Sequence, residues 1–569
     1  MGNGQKRQGS FLKRLLVIGA GLVLVVGLGA PYWLGQQVEK HYADYLQQLQ
    51  RFGYIQVENL VYQRDWFQAS ASYELIIEPE LAQAYERLLG AEMGLSFDGE
   101  PLRIVVNDRI THGPFVGALA TFEGRAEASG WLFEQAIHLE EDEDFARYAG
   151  RVGFDQVVEG EWEPMAITLA SGPLLDDLGV EMRYQGEYLG GEFRYDSSSG
   201  EYRSTNRLGQ SRLVEPSAVH TFEGSTTDLV IAFPQGVLRE IALRSDDAPM
   251  STESRDLQEV GNSRIEGQSV EVKLLFDEQG RFADLVAHFE MQGFESEAPD
   301  LYLTMDGLAA DFTATRHGDS SWYGQLGLSL DGLTVREQYS PGFTAQSATV
   351  RLGLEPESEA HFQLAQLWAA EGLQIQGLEE SIAFHVESSY GKLSRTEYDT
   401  LWSLIYEAIA SFQWDDPEAL LPIFERMEEA GEALMAGRSV LAIKPASFSM
   451  GDADIELALE ADLLLQDIAG FDDSFLLDAE NRLDLSVEAS AMLLHRVARE
   501  VLRQQYNGML SGNELDAMAK EVVAGSVEPM LEMGVVRREQ DGSYTLKVQL
   551  QDGQLLVNGE PGEWLLEQF

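Results

Sequence analysis

From Gly90 to about Glu387 the chain repeatedly alternates apolar with polar positions. Val270, Val272, Leu274 and Phe276 share one parity, as do Leu326, Leu328 and Leu330, then Val350, Leu352 and Leu354, and then Ile382, Phe384 and Val386. A period of two means strands whose side chains point to opposite faces, one apolar and one polar. Turn-forming residues separate the runs: Ser197-Ser198-Ser199-Gly200, Asp277-Glu278-Gln279-Gly280, His317-Gly318-Asp319 and Ser340-Pro341-Gly342. With little helix between them, these strands predict an elongated or curved antiparallel meander. Residues 245–268 are polar and lack a period, and read as a long loop.

Helical spacing appears at the two ends. Val38, Tyr42, Tyr45, Leu46 and Leu49 recur three and four apart, which predicts an amphipathic helix from Gln36 to Arg51 that docks on the following body. Gly53 ends it. Ile55, Val57 and Leu60 then begin an extended run, and Ala71 to Ile77 alternate. Leu81, Ala84, Tyr85, Leu88 and Leu89 predict a short helix between Pro79 and Gly90. From Ser394 the texture changes. Ser394-Arg395-Thr396-Glu397 is a capping box opening a helix to about Phe412, and Asp416 caps a second with Pro417 in its first turn and Gly437 at its close. Strands are predicted over 446–450 and 454–461, across Gly451-Asp452. A related plan follows: a helix over 489–506, another capped by Asn513 and ending near Gly534, and strands over 535–538, 544–550 and 555–557. Asp541-Gly542 and Asp552-Gly553 are hairpin turns. Helix pair then hairpin thus appears in 394–465 and again in 489–558, and duplication is one reading of it.

Leu15 to Leu34 is apolar and uncharged, and twenty residues of helix span roughly 30 Å, the hydrocarbon thickness of a bilayer. Lys6, Arg7, Lys13 and Arg14 precede it without an acid, which places the short basic end in the cytoplasm and exports the rest. A cleaved secretory signal is the alternative, given the small residues Gly27 and Gly29. Pro31, the length of the run, and Tyr32 and Trp33 at an interfacial position favour a retained anchor. The fold class expected is α+β: a single N-terminal transmembrane helix, then an elongated, mostly antiparallel β-sheet body with helical hairpins in the C-terminal third. The expected segments are a basic cytoplasmic 1–14, an anchor 15–34, a juxtamembrane helix 35–54, a β-rich domain 55–390 and a mixed region 391–569.

Composition sharpens this picture. There are 95 acids against 40 bases, a net charge of −55, so nucleic acid and anionic surfaces are repelled by the exported body. The acids are spread along the chain, which reads as solvation that tolerates high external salt rather than as cation binding. The absence of cysteine removes disulfides, thiolate metal sites and cysteine nucleophiles, and suits a bacterial periplasm. The nine histidines are never within five residues of one another, so metal-ligand pairs on a helix are missing. No Gly-x-Ser-x-Gly elbow occurs, and the only Gly-Lys, Gly391-Lys392, lacks a phosphate loop around it. The acid run 140–144 has neither the ligand spacing nor the glycine of a calcium loop and reads as solvated. The chain is therefore expected to be no enzyme and to carry no catalytic residue, metal or cofactor.

One further pattern is informative. Pro31 and Gly35 at the exit of the apolar run, Glu39 and Tyr42 on the next helix, and Tyr62-x-Arg64-x-Trp66-Phe67 resemble the YdgA-like proteins of Gram-negative bacteria. The likeness returns in Met533-Gly534-Val535-Val536 and in Leu555-Leu556-Val557-Asn558-Gly559, whereas Asp65 stands where the family pattern usually has Gly. The resemblance implies a single-pass inner-membrane protein with its bulk in the periplasm, and implies no active site. Tyr62, Arg64, Trp66, Phe67, Asn558 and Gly559 are its motif residues. The first four read as a structural corner, with Arg64 stacked on an aromatic and Trp66 filling the core; a partner-binding patch is the alternative. Function is expected from the sheet: an apolar β-groove for phospholipid or an extended hydrophobic client, in lipid handling or envelope homeostasis. AsmA-like proteins supply the analogy at fold level. The alternative is an envelope scaffold that binds another protein or self-associates as a homo-oligomer, Gly19, Gly21, Gly27 and Gly29 permitting close helix approach.

Overall fold

Alternating sequence becomes strand, and turn chemistry becomes hairpin, through most of the chain. The computed structural model describes residues 35–40, 42–43, 46–47, 55–77, 102–112, 118–130, 137–139, 144–170, 183–214, 218–254, 261–317, 321–337, 341–411, 421–435, 437–465, 481–506 and 509–562. They belong to two units, Met1–Asn262 with Leu275–Arg281, and Ser263–Leu274 with Phe282–Phe569.

In the first unit the described residues between 35 and 47 are helical, and form α1. A hairpin of β1 (Ile55–Arg64) and β2 (Gln68–Ile77) leads by antiparallel pairing to β3 (Leu102–His112) and β4 (Ala120–Ser129). After the short β5 (Ile137–Leu139), β6 (Ala146–Val152) returns beside β4 and β7 (Val157–Trp162) beside β6. β8 (Met165–Ala170) follows, and β9 (Arg183–Asp196) is long enough to pair with both β7 and β8. Gly190 marks the parting at φ 103°, where a Cβ would stand 2.7 Å from the Trp162 carbonyl oxygen, so the backbone there requires glycine. β10 (Glu201–Val214) pairs with β9 on one side and with β11 (Ala218–Phe222) and β12 (Ser225–Ala232) on the other. β13 (Glu240–Asp247) joins β12, and β14 (Met250–Ser254) joins β11.

The core of this unit lies under α1. Val38 packs with Ala69, Ile110 and Ala120, and Leu46 with Tyr73, Val106 and Ala126. Full burial of such side chains contributes about 1.5–3 kcal/mol each. One polar contact sits among them. Asp108 of β3 is buried and accepts hydrogen bonds from the hydroxyls of Tyr42 on α1 and of Tyr148 on β6, the latter at 2.6 Å. Burial pushes the Asp108 carboxyl above its ordinary value, against the lowering effect of the Tyr148 and Tyr42 hydrogen bonds.

After β15 (Asn262–Phe276), the second unit is a meander. β16 (Phe282–Ala298), β17 (Leu301–His317), β18 (Ser321–Glu337), β19 (Phe343–Pro356), β20 (His361–Ile375) and β21 (Ile382–Ser394) each pair antiparallel with the next. Two helices, α2 (Arg395–Ser411) and α3 (Leu421–Met435), pack through Leu404, Ile423 and Ala430. The meander then resumes: β22 (Gly437–Met450) pairs with β21, β23 (Ala453–Leu465) with β22, and β24 (Arg482–Ala489) with β23. A second helix pair, α4 (Ala491–Tyr506) and α5 (Gly512–Glu532), packs through Leu502, Leu515 and Ala519. β25 (Arg537–Arg538), β26 (Tyr544–Gln551), β27 (Gln554–Val557) and β28 (Glu560–Pro561) close the unit, with β26 beside β24.

Arg496 locks α4 down. Its guanidinium donates to Glu380 at 2.5 Å, to the Met450 carbonyl at 2.6 Å and to Asp452. A Cβ at Gly451 (φ 63°) would meet Glu380 at 2.3 Å, so glycine there leaves room for the ion pair.

The fold class expected from sequence is corrected on two counts. Among the described residues the protein is mostly antiparallel sheet, 64% strand against 19% helix, rather than α+β. Among the described residues no helix is long and apolar enough to cross a membrane. The apolar run 15–34 lies outside the described residues, as do the helix expected over 79–90 and most of the acid run 140–144. Strands were underestimated because acids on the exposed face hide the alternation. Thus 245–268 is no long loop: β13 runs to Asp247, β14 covers 250–254 and β15 begins at Asn262. β24 had no expected counterpart, and β22 and β23 extend well beyond 446–450 and 454–461. The cap of α5 is Ser511, two residues before Asn513, because Ser511 and Glu514 complete a reciprocal capping box.

Two outcomes follow from these contacts. Because the folded carboxyl of Asp108 titrates above the unfolded value near pH 4, the native state binds more protons within that window, and stability falls as pH rises through it. The melting temperature of Asp108→Asn minus that of the native chain should therefore grow from about pH 4 upward and then level off; a gap that shrinks with pH would refute the burial account. Arg496→Met strands Glu380 and should cost about 2–4 kcal/mol, read as lost hydrogen-exchange protection across α4, whereas Arg537→Met, whose ion-pair partner Glu560 is 81% exposed, should leave that protection unchanged.

Candidate functional site

The register of the second unit brings apolar side chains of successive strands into rows. Phe289, Ala310, Leu328, Val350, Trp368 and Val386 stand opposite one another from β16 to β21. The adjacent row on the same face is Ala287, Phe312, Leu326, Leu352, Gln366 and Ser388. At about 4.8 Å per strand, six strands set this face roughly 24 Å wide. The opposite face is polar. There His288 lies 2.7 Å from Asp311, and Gln325 donates to Glu355 at 2.7 Å.

The described helices cover only the margins of the apolar face. At one end Tyr323, Phe362 and Leu393 are buried, with Tyr398 of α2 and Leu434 of α3 packed on them. The Phe362 and Tyr398 rings lie 4.6 Å apart, and the Tyr398 hydroxyl donates to the Trp322 carbonyl. Elsewhere Leu493 of α4 buries Met450 and Ala453, beside Phe448 and Ile455. Between these margins the face is open: Phe312 is 39% exposed, Leu326 36%, Leu328 40% and Trp368 44%. A sheet face in a packed core excludes water, so these residues line a surface rather than an interior. Gln366 and Ser388, neighbours across β20 and β21, set a polar notch in it, and the Trp368 indole N–H points to Gln366 at a long 3.4 Å. Such a surface can hold an extended apolar chain along its rows and a polar group at the notch. Alternation identified the face; its exposure was legible only in the shortage of helix to cover it.

The six motif residues form two clusters, one in each unit. In the first unit the Arg64 guanidinium meets Glu39 of α1 at 2.6 Å, and the Tyr42 and Tyr62 rings lie 5.7 Å apart. Burial, with Glu39 nearby, pushes the Tyr62 hydroxyl up to about 12, while Arg64 opposes the rise. Gly35 fits against His112 and Arg64, where a Cβ would come within 2.6 Å of the His112 ring. Trp66 does not fill the core. It lies with Phe67 in the β1–β2 turn, 47% and 42% exposed, because the Asp65 N–H closes that turn onto the Gln68 carbonyl at 2.8 Å. Asp65 does not adopt the left-handed conformation, so glycine is not required there.

In the second unit Asn558 (φ 52°) and Gly559 (φ 82°) form the two-residue turn between β27 and β28. The Asn558 side chain accepts from the Lys547 N–H at 2.9 Å and donates to the carbonyls of Gly534 and Val535, both at 2.9 Å. Every polar atom of a buried amide is thereby used to join the end of α5 to β26, which is a structural role.

Among the described residues no group of three or more His, Asp or Glu side chains could hold a metal ion. Comparison with curated proteins and with solved structures gave no match. The family model for a bacterial protein of unknown function, DUF945, matches residues 12–211 and 245–562, a span that takes in both motif clusters and the whole apolar face. The chain belongs to the DUF945 family.

Proposed function

We propose that this chain is a binding protein that receives the acyl chains of phospholipid on the open apolar face of β16 to β21, outside the cytosol. The observation that carries the reading is the exposure of Phe312, Leu326, Leu328 and Trp368 in adjacent rows of one face. Leaving several large apolar side chains contiguous and half-exposed costs about 25 cal/mol for each Å² of apolar surface left in water, and an apolar ligand recovers that cost. The notch of Gln366 and Ser388 would take an ester carbonyl or hydroxyl. The cysteine-free, acid-rich composition supports an exported location, as does the resemblance to YdgA-like proteins.

A second reading is a scaffold for another envelope protein, favoured by the latter half of α5. Val522 and Met530 there are 46% and 44% exposed, and Met533, just past the helix end, is 46% exposed; flexible methionines suit a protein partner. The two readings separate in one experiment. Full-length protein extracted in detergent should co-purify with phospholipid detected by mass spectrometry, and Leu328→Glu should reduce the bound lipid about tenfold, equivalent to about 1.4 kcal/mol, without unfolding a residue already half in water. Val522→Glu should leave the lipid unchanged. A lipid-free native protein would overturn the proposal.

A further inference from the structure

One edge of the first unit's sheet carries apolar side chains where turns are ordinarily polar. Trp66 and Phe67 occupy the β1–β2 turn, and Phe154, 64% exposed, occupies the β6–β7 turn. Both turns lie at the same edge. The His112 N–H donates to the Phe67 carbonyl at 2.9 Å, His112 pairs with Ala120, and Ala120 pairs with Val152, two residues before Phe154. At about 4.8 Å per strand the two tips stand roughly 19 Å apart along that edge. The next turn along, Ser197-Ser198-Ser199-Gly200 between β9 and β10, is polar, so the aromatic character is confined to one stretch of the edge.

Gly35 is wedged against Arg64 and His112, at this same stretch of the edge. Covalently joined to it there is the uncharged sequence 15–34. Three large exposed rings at turn tips, beside the residue to which a long apolar sequence is joined, match the aromatic belt that sits at headgroup level in a bilayer interface. Aromatic tips on a solvent-facing edge gain nothing from water, whereas Trp and Phe at an interface bury their rings and leave the strands behind them dry of lipid.

We infer that Trp66, Phe67 and Phe154 form a lipid-contacting edge that seats the first unit on a membrane surface. This inference is independent of acyl binding by the second unit. The native chain has no cysteine, so a single introduced thiol carries the only label. Full-length Phe67→Cys, Phe154→Cys and, as a control, Ser129→Cys at the far end of β4 would each be spin-labelled and reconstituted with vesicles of zwitterionic phosphatidylethanolamine and phosphatidylcholine, which do not repel the acidic body. Labels at 67 and 154 should show a several-fold higher ratio of oxygen to water-soluble nickel accessibility than the label at 129. Either of them matching the Ser129 label would overturn the inference, and the two sites guard against one substitution merely disturbing its own turn. In Trp66→Phe, quenching of intrinsic fluorescence by brominated phospholipid should fall relative to the native chain; unchanged quenching would count equally against it.

Discussion

Antiparallel backbone pairing is what everything else in the described residues depends on. An antiparallel ladder fixes which residues stand opposite one another, and a slip of one position would exchange the two faces of a strand. In the second unit the ladders hold Leu328 opposite Ala310 and Val350, and Trp368 opposite Val350 and Val386, so that each strand adds one member to the same apolar row. Register therefore builds the candidate surface directly. No loop has to be placed and no pocket closed for the face to exist.

Side chains then decide how much of that surface remains available. Around Tyr323 and Phe362, and around Met450 and Ala453, helices remove the sheet from water. They do so with contacts of different kinds: an aromatic cluster at α2, and the guanidinium of Arg496 at α4. The first unit solves the same problem with α1, whose Val38 and Leu46 cover β2 to β4. What no described helix covers between β16 and β21 is the residue of that accounting, and the proposed function rests on it.

Much of the strand order could be read from the sequence because two simple signals are strong here. Alternation in Leu326, Leu328 and Leu330, and glycine turns such as Asp552-Gly553 and Gly451-Asp452, need no tertiary information to be interpreted. Residues 245–254 failed because both signals vanish: Ser245, Asp246 and Asp247 lie on a strand paired to the equally polar Ser225, Thr226 and Thr227. The role of Trp66 was misread for a related reason. A tryptophan beside a short turn looks like core until the direction of that turn is known, and only the Asp65–Gln68 hydrogen bond sets it. The turn at Asn558 and Gly559 is not among the hairpins expected from the sequence, and the three side-chain hydrogen bonds of Asn558 reach residues 11 to 24 positions away, beyond any local pattern.

The meander of β16 to β21 also has a bearing on how the chain reaches its native state. Every one of those strands finds its partner within the next hairpin, so little loop-closure entropy separates one pairing from the next. Assembly can advance strand by strand in the order of synthesis, each new hairpin templated by the one before it, as in repeat architectures where neighbours alone supply the stabilising contacts. A chain delivered progressively through a narrow exit could thus acquire its sheet while its carboxyl end is still to come.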